Sequence, residues 1–377
     1  MSATGVPSAA IAVPAGAVAG RPGGRWIAGP WYDGIWLVFS PLLAVLVGLA
    51  VERSFLMEDV KVLQVTEPLY VVLYSSLTQA HLTLTFARSH LNPVIRRRFP
   101  FRFFLVPLLV FAALVTSSWA FAAAVVVMTF WDTYHSCMQT FGFARIYDAK
   151  AGNDPEAGRS LDYWANLLFY AGPLFATTGA LLWQVNSFSA FGRLPPLHVG
   201  AAEFRGAMFA SVPPWVEAHA GHVRWTLLAI TIPFLAWYFW SYRRLMRSGY
   251  RLPWQKAVLV GGTAIQSAWA WGFHSLGVAF LIVNLSHAVQ YYALVWWTEK
   301  RNLGEVCRTG HKGTGGAALL VGLLLVTGVA GFVFETVKSN YAKEALVVCA
   351  LLHFWYDGFI WSVRKGEHLE VRAAPAA

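Results

Sequence analysis

The sequence contains about ten stretches, each close to 20 residues and nearly free of charge, which is the length that an α-helix needs to cross a bilayer. Because lipid offers no partners to backbone polar groups, such stretches fold as helices. Only 13% of the 377 residues are charged, whereas a soluble domain carries roughly a quarter. We therefore predict an all-α, polytopic membrane helix bundle. The predicted spans lie near 35–52, 68–88, 103–117, 119–145, 161–183, 225–242, 255–272, 277–297, 316–336 and 344–364.

Basic residues are concentrated in the loops that follow the even-numbered spans. Three arginines at 96–98 follow the second span, and Arg243, Arg244 and Arg247 follow the sixth, whereas the 53–67 loop is mostly acidic. By the positive-inside rule, both termini are predicted to lie in the cytoplasm. The net charge of +10 is thereby explained by topology. We expect an integral protein of a bacterial inner membrane, with the lipid bilayer and not nucleic acid as its partner.

The regions outside the spans suggest two tails and one long loop. Residues 1–29 are rich in Ala, Gly and Pro, which predicts a disordered tail and not a cleaved signal peptide. The bundle is predicted over 30–366, followed by a second disordered tail at 367–377. An outer loop at 184–224 is predicted to hold a short amphipathic helix near 199–211. Thr116–Ser118 predicts a tight turn between the third and fourth spans.

Four histidines fall inside predicted spans. His81 is in the second, His135 in the fourth, His287 in the eighth and His353 in the tenth. All four spans run in the same direction, and each histidine lies within about one turn of its span's midpoint. The four imidazoles are therefore expected at similar depth, where they could form one central site. A single histidine of this kind is often only a hydrogen-bonding contact between helices.

Each histidine lies on a polar stripe of an otherwise apolar helix. Helical spacing places residues three or four positions apart on one face. A charged residue at mid-bilayer costs about 2.5–3.5 kcal/mol, so these stripes are expected to face the bundle interior. The stripe residues are Thr78 and Thr85 near His81, Asp132 and Gln139 near His135, Asn284, Gln290 and Tyr291 near His287, and Tyr356 and Asp357 near His353.

This pattern predicts a metal site with His81, His135, His287 and His353 as ligands. A metal-bound imidazole usually donates its other N–H to a carboxylate or carbonyl, so Asp132 and Asp357 are predicted to orient the ligands. Four neutral nitrogens suit iron or zinc best, with copper possible. Fe(II) is the metal that we expect, whereas zinc alone would suggest hydrolysis. The expected substrate is a hydrophobic small molecule. The remaining predicted roles are catalytic for Asp132, Asp357 and Tyr291, and cavity-lining for Asn284, Gln139, Gln290 and Tyr356.

Other polar residues carry simpler interpretations. Asp33 and Asp162 stand at span starts and are expected at the membrane interface. Arg145 and Asp148 end the fourth span and could anchor it there. His219 and His222 form an HxxH pattern on the outer loop, where a solvated pair is expected.

These motifs resemble those of the Brp/Blh-type bacterial β-carotene cleavage oxygenases over four short segments. That family holds one non-haem iron with four histidines on separate helices and splits a carotenoid with dioxygen to give retinal. The resemblance implies an iron site on the same four histidines and an apolar isoprenoid substrate. The matching segments are Gln79-Ala80-His81, His135 with Phe141-Gly142, Ser286-His287, and Leu352-His353-Phe354-Trp355-Tyr356-Asp357.

Three other functions remain open from the sequence. Pairs of these histidines could ligate b-type haem in an electron-transfer protein. Buried His and Asp could instead relay protons in a transporter, where Gly261-Gly262 would break the seventh span. A structural role would leave the polar stripes to contact a partner helix. The HxxxH and HxxHH clusters of membrane desaturases are absent from the sequence, which disfavours a di-iron site.

Overall fold

The computed structural model describes residues 25–63, 65–337 and 339–361. The predicted tails at 1–29 and 367–377 lie outside these residues, except for 25–29. The helices are α1 (Pro30–Asp33), α2 (Ser40–Val51), α3 (Leu69–Ser89), α4 (Pro93–Arg98), α5 (Pro100–Thr116), α6 (Ser118–Lys150), α7 (Arg159–Ala176), α8 (Thr178–Val185), α9 (Gly206–Ala210), α10 (Val212–Arg247), α11 (Trp254–Phe273), α12 (Leu276–Val306), α13 (Gly313–Thr336) and α14 (Asn340–Ile360).

The all-α prediction is confirmed, since strands in the described residues are limited to two short antiparallel hairpins. These hairpins pair β1 (Asp59–Val62) with β2 (Val65–Pro68), and β3 (Leu197–Val199) with β4 (Ala202–Phe204). A π-helical segment covers Gly34–Val38, and 3₁₀ segments cover Phe55–Met57 and Asn186–Arg193. Within the described residues, each predicted span overlaps one or two helical segments.

Three helical segments are long and apolar enough to cross a membrane: Gly206–Arg247, Leu276–Val306 and Gly313–Thr336. The number rises to 6 if each of three bent helix pairs counts as one span. The pair formed by α5 and α6 bends by 119° at Ser117, whose backbone is extended and whose hydroxyl caps α6 by accepting from the Ala120 amide. The tight turn predicted at Thr116–Ser118 is therefore present.

Four expectations of local structure differ from what is observed. The predicted continuous helix over 161–183 is divided at Thr177, whose extended backbone separates α7 from α8 at an angle of 96°. The predicted helix near 199–211 is instead the β3–β4 hairpin followed by α9, and α10 already begins at Val212. The HxxH pair, His219 and His222, consequently lies on α10 and not in a loop. Gly261-Gly262 does not break α11, which is continuous.

Helix α3 contacts α12, α13 and α14, and two glycines let α13 approach it closely. A Cβ atom on Gly328 would lie 2.6 Å from the carbonyl oxygen of Ser76, and one on Gly331 would lie 2.5 Å from Cβ of Gln79. Larger residues at these two positions would force the backbones apart. Small residues at helix contacts are typical of membrane helix packing. Helix α13 thus supports the helix that carries His81.

A buried, charge-balanced cluster joins α6, α7, α10 and α11. Asp148 and Asp162 each accept hydrogen bonds from Arg145, at 2.6 and 2.7 Å, and from the Lys256 ammonium at 2.6 Å. Tyr250 donates to Asp148 at 2.5 Å, and Tyr242 donates to Asp162. We call these six residues the charge cluster. Two cations and two carboxylates cancel, which removes the net charge from the interior.

The charge cluster shows that acids expected at span ends are buried inside the protein. Asp148 and Asp162 are both 1% exposed. Asp33 is also fully buried and accepts hydrogen bonds from the amides of Ile27 and Ala28 and from the Tyr147 hydroxyl. The sequence showed these acids at helix ends but gave no indication of which cations they would meet.

We predict that Lys256→Met destabilises the folded protein by about 3–5 kcal/mol, because the substitution leaves two buried carboxylates with one cation. The denaturation midpoint in detergent measures this change. Arg247→Met is the matched control, since Arg247 is exposed at the end of α10. Equal midpoints for the two variants would show that the charge cluster contributes nothing to stability.

Candidate metal centre

Four helices bring one histidine each to a single buried place. His81 comes from α3, His135 from α6, His287 from α12 and His353 from α14. All four are buried, and one nitrogen of each lies within 4.8 Å of the corresponding nitrogens of the others. The structure therefore brings together the four histidines that the sequence singled out.

The four imidazole rings are arranged in a square-like cluster, in which each ring lies next to two others. Neighbouring ring centroids are 4.5 Å apart for His81–His353, 4.8 Å for His353–His135, 5.1 Å for His135–His287 and 4.6 Å for His287–His81. The His81–His135 diagonal is longer, at 6.3 Å. Near-equal edges and a longer diagonal are typical of four groups arranged around a common centre.

Several ring nitrogens lack any partner within the described protein. Both nitrogens of His81 and Nε2 of His287 are buried and form no hydrogen bond with a described residue. An unsatisfied buried polar atom costs about 1–3 kcal/mol, so a fold rarely keeps three of them side by side. Lone pairs on these atoms are the donors that a metal ion requires.

The donor spacing also fits a metal. Nε2 of His353 lies 3.2 Å from Nε2 of His135. Two imidazole nitrogens bonded to one ion at about 2.0–2.1 Å are separated by roughly 3.0 Å at a right angle and 3.4 Å at a tetrahedral angle. Donor type, donor spacing and unpartnered nitrogens therefore agree with a first-row transition metal held by four imidazoles.

Helix α3 contributes a second residue that orients the site. The Thr85 hydroxyl forms a hydrogen bond with Nδ1 of His353 and another, of 2.6 Å, with the Tyr291 hydroxyl. Fixing the nitrogen that faces away from a metal sets the tautomer and the ring orientation of a ligand. Thr85 was placed on the His81 stripe from helical spacing, but its partner is the histidine of α14.

Asp357 lies beside the histidines and faces their Nε2 atoms. Its Oδ1 accepts hydrogen bonds from the Tyr291 hydroxyl at 3.0 Å and from Nε1 of Trp361 at 3.1 Å. Its Oδ2 is 3.8 Å from Nε2 of both His135 and His353. The sequence predicted that Asp357 would hold the far nitrogen of His353, but Thr85 occupies that position. Asp357 is instead directed at the centre of the site.

Of the other predicted residues, Gln139 and Gln290 form hydrogen bonds next to the histidines, whereas Asp132 forms none with them. Gln139 donates to the His287 carbonyl at 2.9 Å and to Oε1 of Gln290 at 3.0 Å, and Gln290 in turn donates to the Leu37 carbonyl. These two amides tie α6 to α12 next to the histidines. Asp132 is not brought to His135, since its carboxylate makes no hydrogen bond or ion pair with another described residue.

Two predicted cavity residues point elsewhere. The Asn284 amide donates to the Phe280 carbonyl of its own helix. The Tyr356 hydroxyl donates to the Arg102 carbonyl at 3.1 Å, and its ring packs against Phe103. Both residues, and also Gln290, are absent from the lining of the main cavity, to which only Gln139 of the four predicted residues belongs. Helical spacing from the histidines therefore did not predict which residues line the cavity.

A cavity of about 750 Å³ ends at the site, and a pocket of this volume holds a small organic ligand. His135, Asp357, Tyr291 and Gln139 line its inner end. Between that end and the basic residues of its lining, the walls are mostly apolar. They are formed by Trp131, Tyr134, Met138, Gly142, Phe143, Ile146, Leu294, Trp297, Thr298, Phe354, Trp355, Gly358, Phe359 and Trp361, together with Ile27.

A buried ion pair next to the site was not found by sequence reasoning. The Arg88 guanidinium donates to Glu299 at 2.9 Å and to the Ile360 carbonyl at 3.2 Å, and it lies 4.1 Å from the Trp361 ring centroid. Because Trp361 also donates to Asp357, the pair supports the acid beside the histidines.

We predict that Thr85→Val lowers the affinity of the site for Fe²⁺ about 10- to 100-fold, because His353 loses the partner that orients it. Anaerobic competition with a chelator measures the affinity. Thr83→Val is the matched control on the same helix, since the Thr83 hydroxyl bonds only to carbonyls of its own helix, Gln79 and Ala80. Equal affinities for the two variants would contradict the assigned role of Thr85.

Comparison with known proteins returned no matching family model, no matching curated protein and no matching solved structure. The likeness to the β-carotene cleavage oxygenases thus stays a prediction from four short motifs. The geometry of the four histidines and of the cavity that reaches them is therefore the main indication of what this chain does.

Proposed function

We propose that this chain is a membrane-embedded oxygenase that holds one non-haem iron ion with four histidines and acts on an apolar, isoprenoid-like or other lipid substrate. The observation that carries the proposal is the buried cluster of four histidines from four separate helices, which are His81, His135, His287 and His353. The mostly apolar cavity that ends at His135 supports a lipid-soluble substrate.

We extend the membrane assignment from the three apolar helical segments to the whole helix bundle. The most apolar window of the segment Gly206–Arg247 has none of its residues buried within the protein. Large side chains such as Ile232 and Phe239 are 67% and 65% exposed there. Apolar surface on this scale favours contact with lipid. We propose about ten spans with both termini in the cytoplasm, as the basic loops indicate.

Iron is proposed because four neutral imidazoles leave coordination positions for further ligands on a metal that favours six. When bound, iron would supply the activation of dioxygen, whereas zinc would supply a polarised water for hydrolysis. The absence of acidic ligands among the four residues disfavours calcium or magnesium, which prefer oxygen donors.

The protein's own groups have separable roles in this proposal. The apolar walls would bind the substrate and exclude water, and His135 and Asp357 would face its reacting part at the inner end. Oδ1 of Asp357 already accepts two hydrogen bonds, so Oδ2 is the atom that could take or return a proton. Tyr291 and Trp361 would hold that carboxylate in place.

A b-type haem fits this geometry less well. A haem iron held by two histidines requires a flat slot between them that is wide enough for the macrocycle. Here the donor nitrogens of the two remaining imidazoles lie within 4.8 Å of those of any chosen pair. These two rings would therefore occupy the space that the macrocycle needs. A transporter also loses one supporting feature, because α11 runs unbroken through Gly261-Gly262.

We predict about one iron ion per chain in protein purified in mild detergent, with no Soret band in the visible spectrum. His135→Ala and His353→Ala should each lose the metal, because each substitution removes one of four donors. Metal content is measured by mass spectrometry. His222→Ala, which changes an exposed histidine of α10, should retain the metal.

Each outcome of this measurement distinguishes the proposed functions. A Soret band would support the haem alternative. Well-folded protein that binds no metal would contradict the oxygenase and favour a carrier. Should the alanine variants fail to fold, His135→Gln and His353→Gln retain more of the side-chain volume and test the same donors.

We predict that Asp357→Asn keeps the metal but lowers the rate of oxygen consumption about 10²- to 10⁴-fold, the range for loss of a group that transfers protons. β-Carotene and other apolar lipids serve as the substrate screen. Asp132→Asn should have a much smaller effect, because that carboxylate makes no contact with a histidine. Equal rates for wild type and Asp357→Asn would remove Asp357 from the mechanism.

A further inference from the structure

The charged residues that line the main cavity are separated by sign. Asp357 is the acidic one and lies at the inner end beside the histidines. The basic ones are Arg102, Lys150, Lys300 and Arg301. These four residues, which we call the basic rim, stand at the start of α5, at the end of α6 and in the last turns of α12.

Lys150, Lys300 and Arg301 are far from the site along their helices, whereas Arg102 packs on Phe359, two residues beyond Asp357 on α14. His135 and Lys150 are at opposite ends of one stretch of α6, and at about 1.5 Å per residue this stretch is roughly 22 Å long. On α12, the stretch from Tyr291 to Arg301 is roughly 15 Å long by the same measure. Between the two ends, the cavity walls are mainly aromatic and aliphatic. The cavity therefore combines a long apolar body with cations near the ends of α6 and α12.

Aromatic side chains hold two of the rim cations at the cavity wall. The Arg102 guanidinium lies 4.8 Å from the Phe359 ring centroid and 5.1 Å from that of Phe99. The Lys300 ammonium lies 4.5 Å from the Trp297 ring centroid. Phe359 and Trp297 themselves line the cavity. Cations placed over aromatic faces keep their charge available to an anion.

The other rim cations are partly compensated. Arg301 forms an ion pair of 3.1 Å with Glu305, and both side chains are more than half exposed. An exposed pair of this kind contributes little to stability, so an incoming anion could compete for Arg301. Arg102 and Lys300 make no ion pair with a carboxylate in the described residues, which makes them the main candidates for binding an anion.

We propose that the ligand of this cavity is a single long apolar chain with an anionic head group, either a carboxylate or a phosphate, that binds at the basic rim. The chain would lie along the apolar walls, so that its far end reaches His135 and Asp357. This inference rests on the proposed function for the meaning of that far end, but it predicts binding whether or not the protein is an oxygenase.

Three ligands that differ only in the head group test the anionic preference: oleate, oleyl phosphate and oleyl alcohol. Binding of each radiolabelled ligand is measured with the full chain in nanodiscs of a zwitterionic lipid, after metal removal. We expect oleate or oleyl phosphate to bind at least about tenfold more tightly than the alcohol, since a hydrogen bond to a charged group has roughly that effect. Equal affinities for all three would overturn the proposal.

Charge-removing variants locate the head group. The double variant Arg102→Gln/Lys300→Gln should lower the affinity for the anionic ligand about tenfold or more, with the alcohol unaffected. The matched control is Arg243→Gln/Arg247→Gln, which removes two cations from the exposed end of α10 and leaves the cavity lining intact. Equal losses in both double variants would indicate attraction by net charge only and would overturn the assignment to the rim.

The orientation of the chain has its own test. Oleate with a photoreactive diazirine at its terminal carbon should crosslink to cavity-lining residues near His135, such as Trp131 or Phe354. Crosslinks at Lys150 or Arg301 would contradict this orientation.

Because these measurements use metal-free protein, anion binding with failed oxygenase assays would refute only the proposed function. Absence of binding in metal-loaded, oxygen-consuming protein would refute only this inference.

Discussion

The structure depends on the burial of polar side chains in an apolar bundle, and above all on the four imidazoles. Each imidazole has to find a partner, because an unpaired polar group in a low-dielectric interior is costly. Thr85 bonds to Nδ1 of His353, and the Nε2 atoms of His353 and His135 contact each other, while both nitrogens of His81 and Nε2 of His287 have no partner among the described residues. This requirement determines which faces of α3, α6, α12 and α14 meet. The apolar surfaces of the same helices are far less selective.

The charge cluster solves the same physical problem in a different way. Its two cations and two carboxylates neutralise one another, and two tyrosine hydroxyls complete the hydrogen bonds. Such a network is closed and has no donor atoms left for a ligand. The histidine site is open by comparison, because it keeps unpartnered nitrogens and borders a cavity. The difference between a closed and an open polar network separates a structural role from a candidate functional one.

Helix positions and the four histidines could be predicted from the sequence because hydropathy and helical spacing are local properties. Contacts between helices that are far apart in the sequence could not be predicted in this way. Thr85 was placed on the face of His81, but its partner His353 lies 268 residues further along the chain. Asp132 and Asp357 looked equivalent beside their histidines, yet only Asp357 reaches the site. The break at Thr177 was also missed, because apolar residues continue on both sides of it.

The position of His353 on α14 has a consequence for the assembly of the bundle. His353 follows His135 by 218 residues and His287 by 66, so synthesis places three of the histidines in the chain before the fourth. Since domains form as the chain emerges, a partly made bundle holds an incomplete set of donors. Such an intermediate would bind an ion weakly and release it readily. If the four histidines hold an ion as proposed, tight binding would therefore have to wait until α14 is in place.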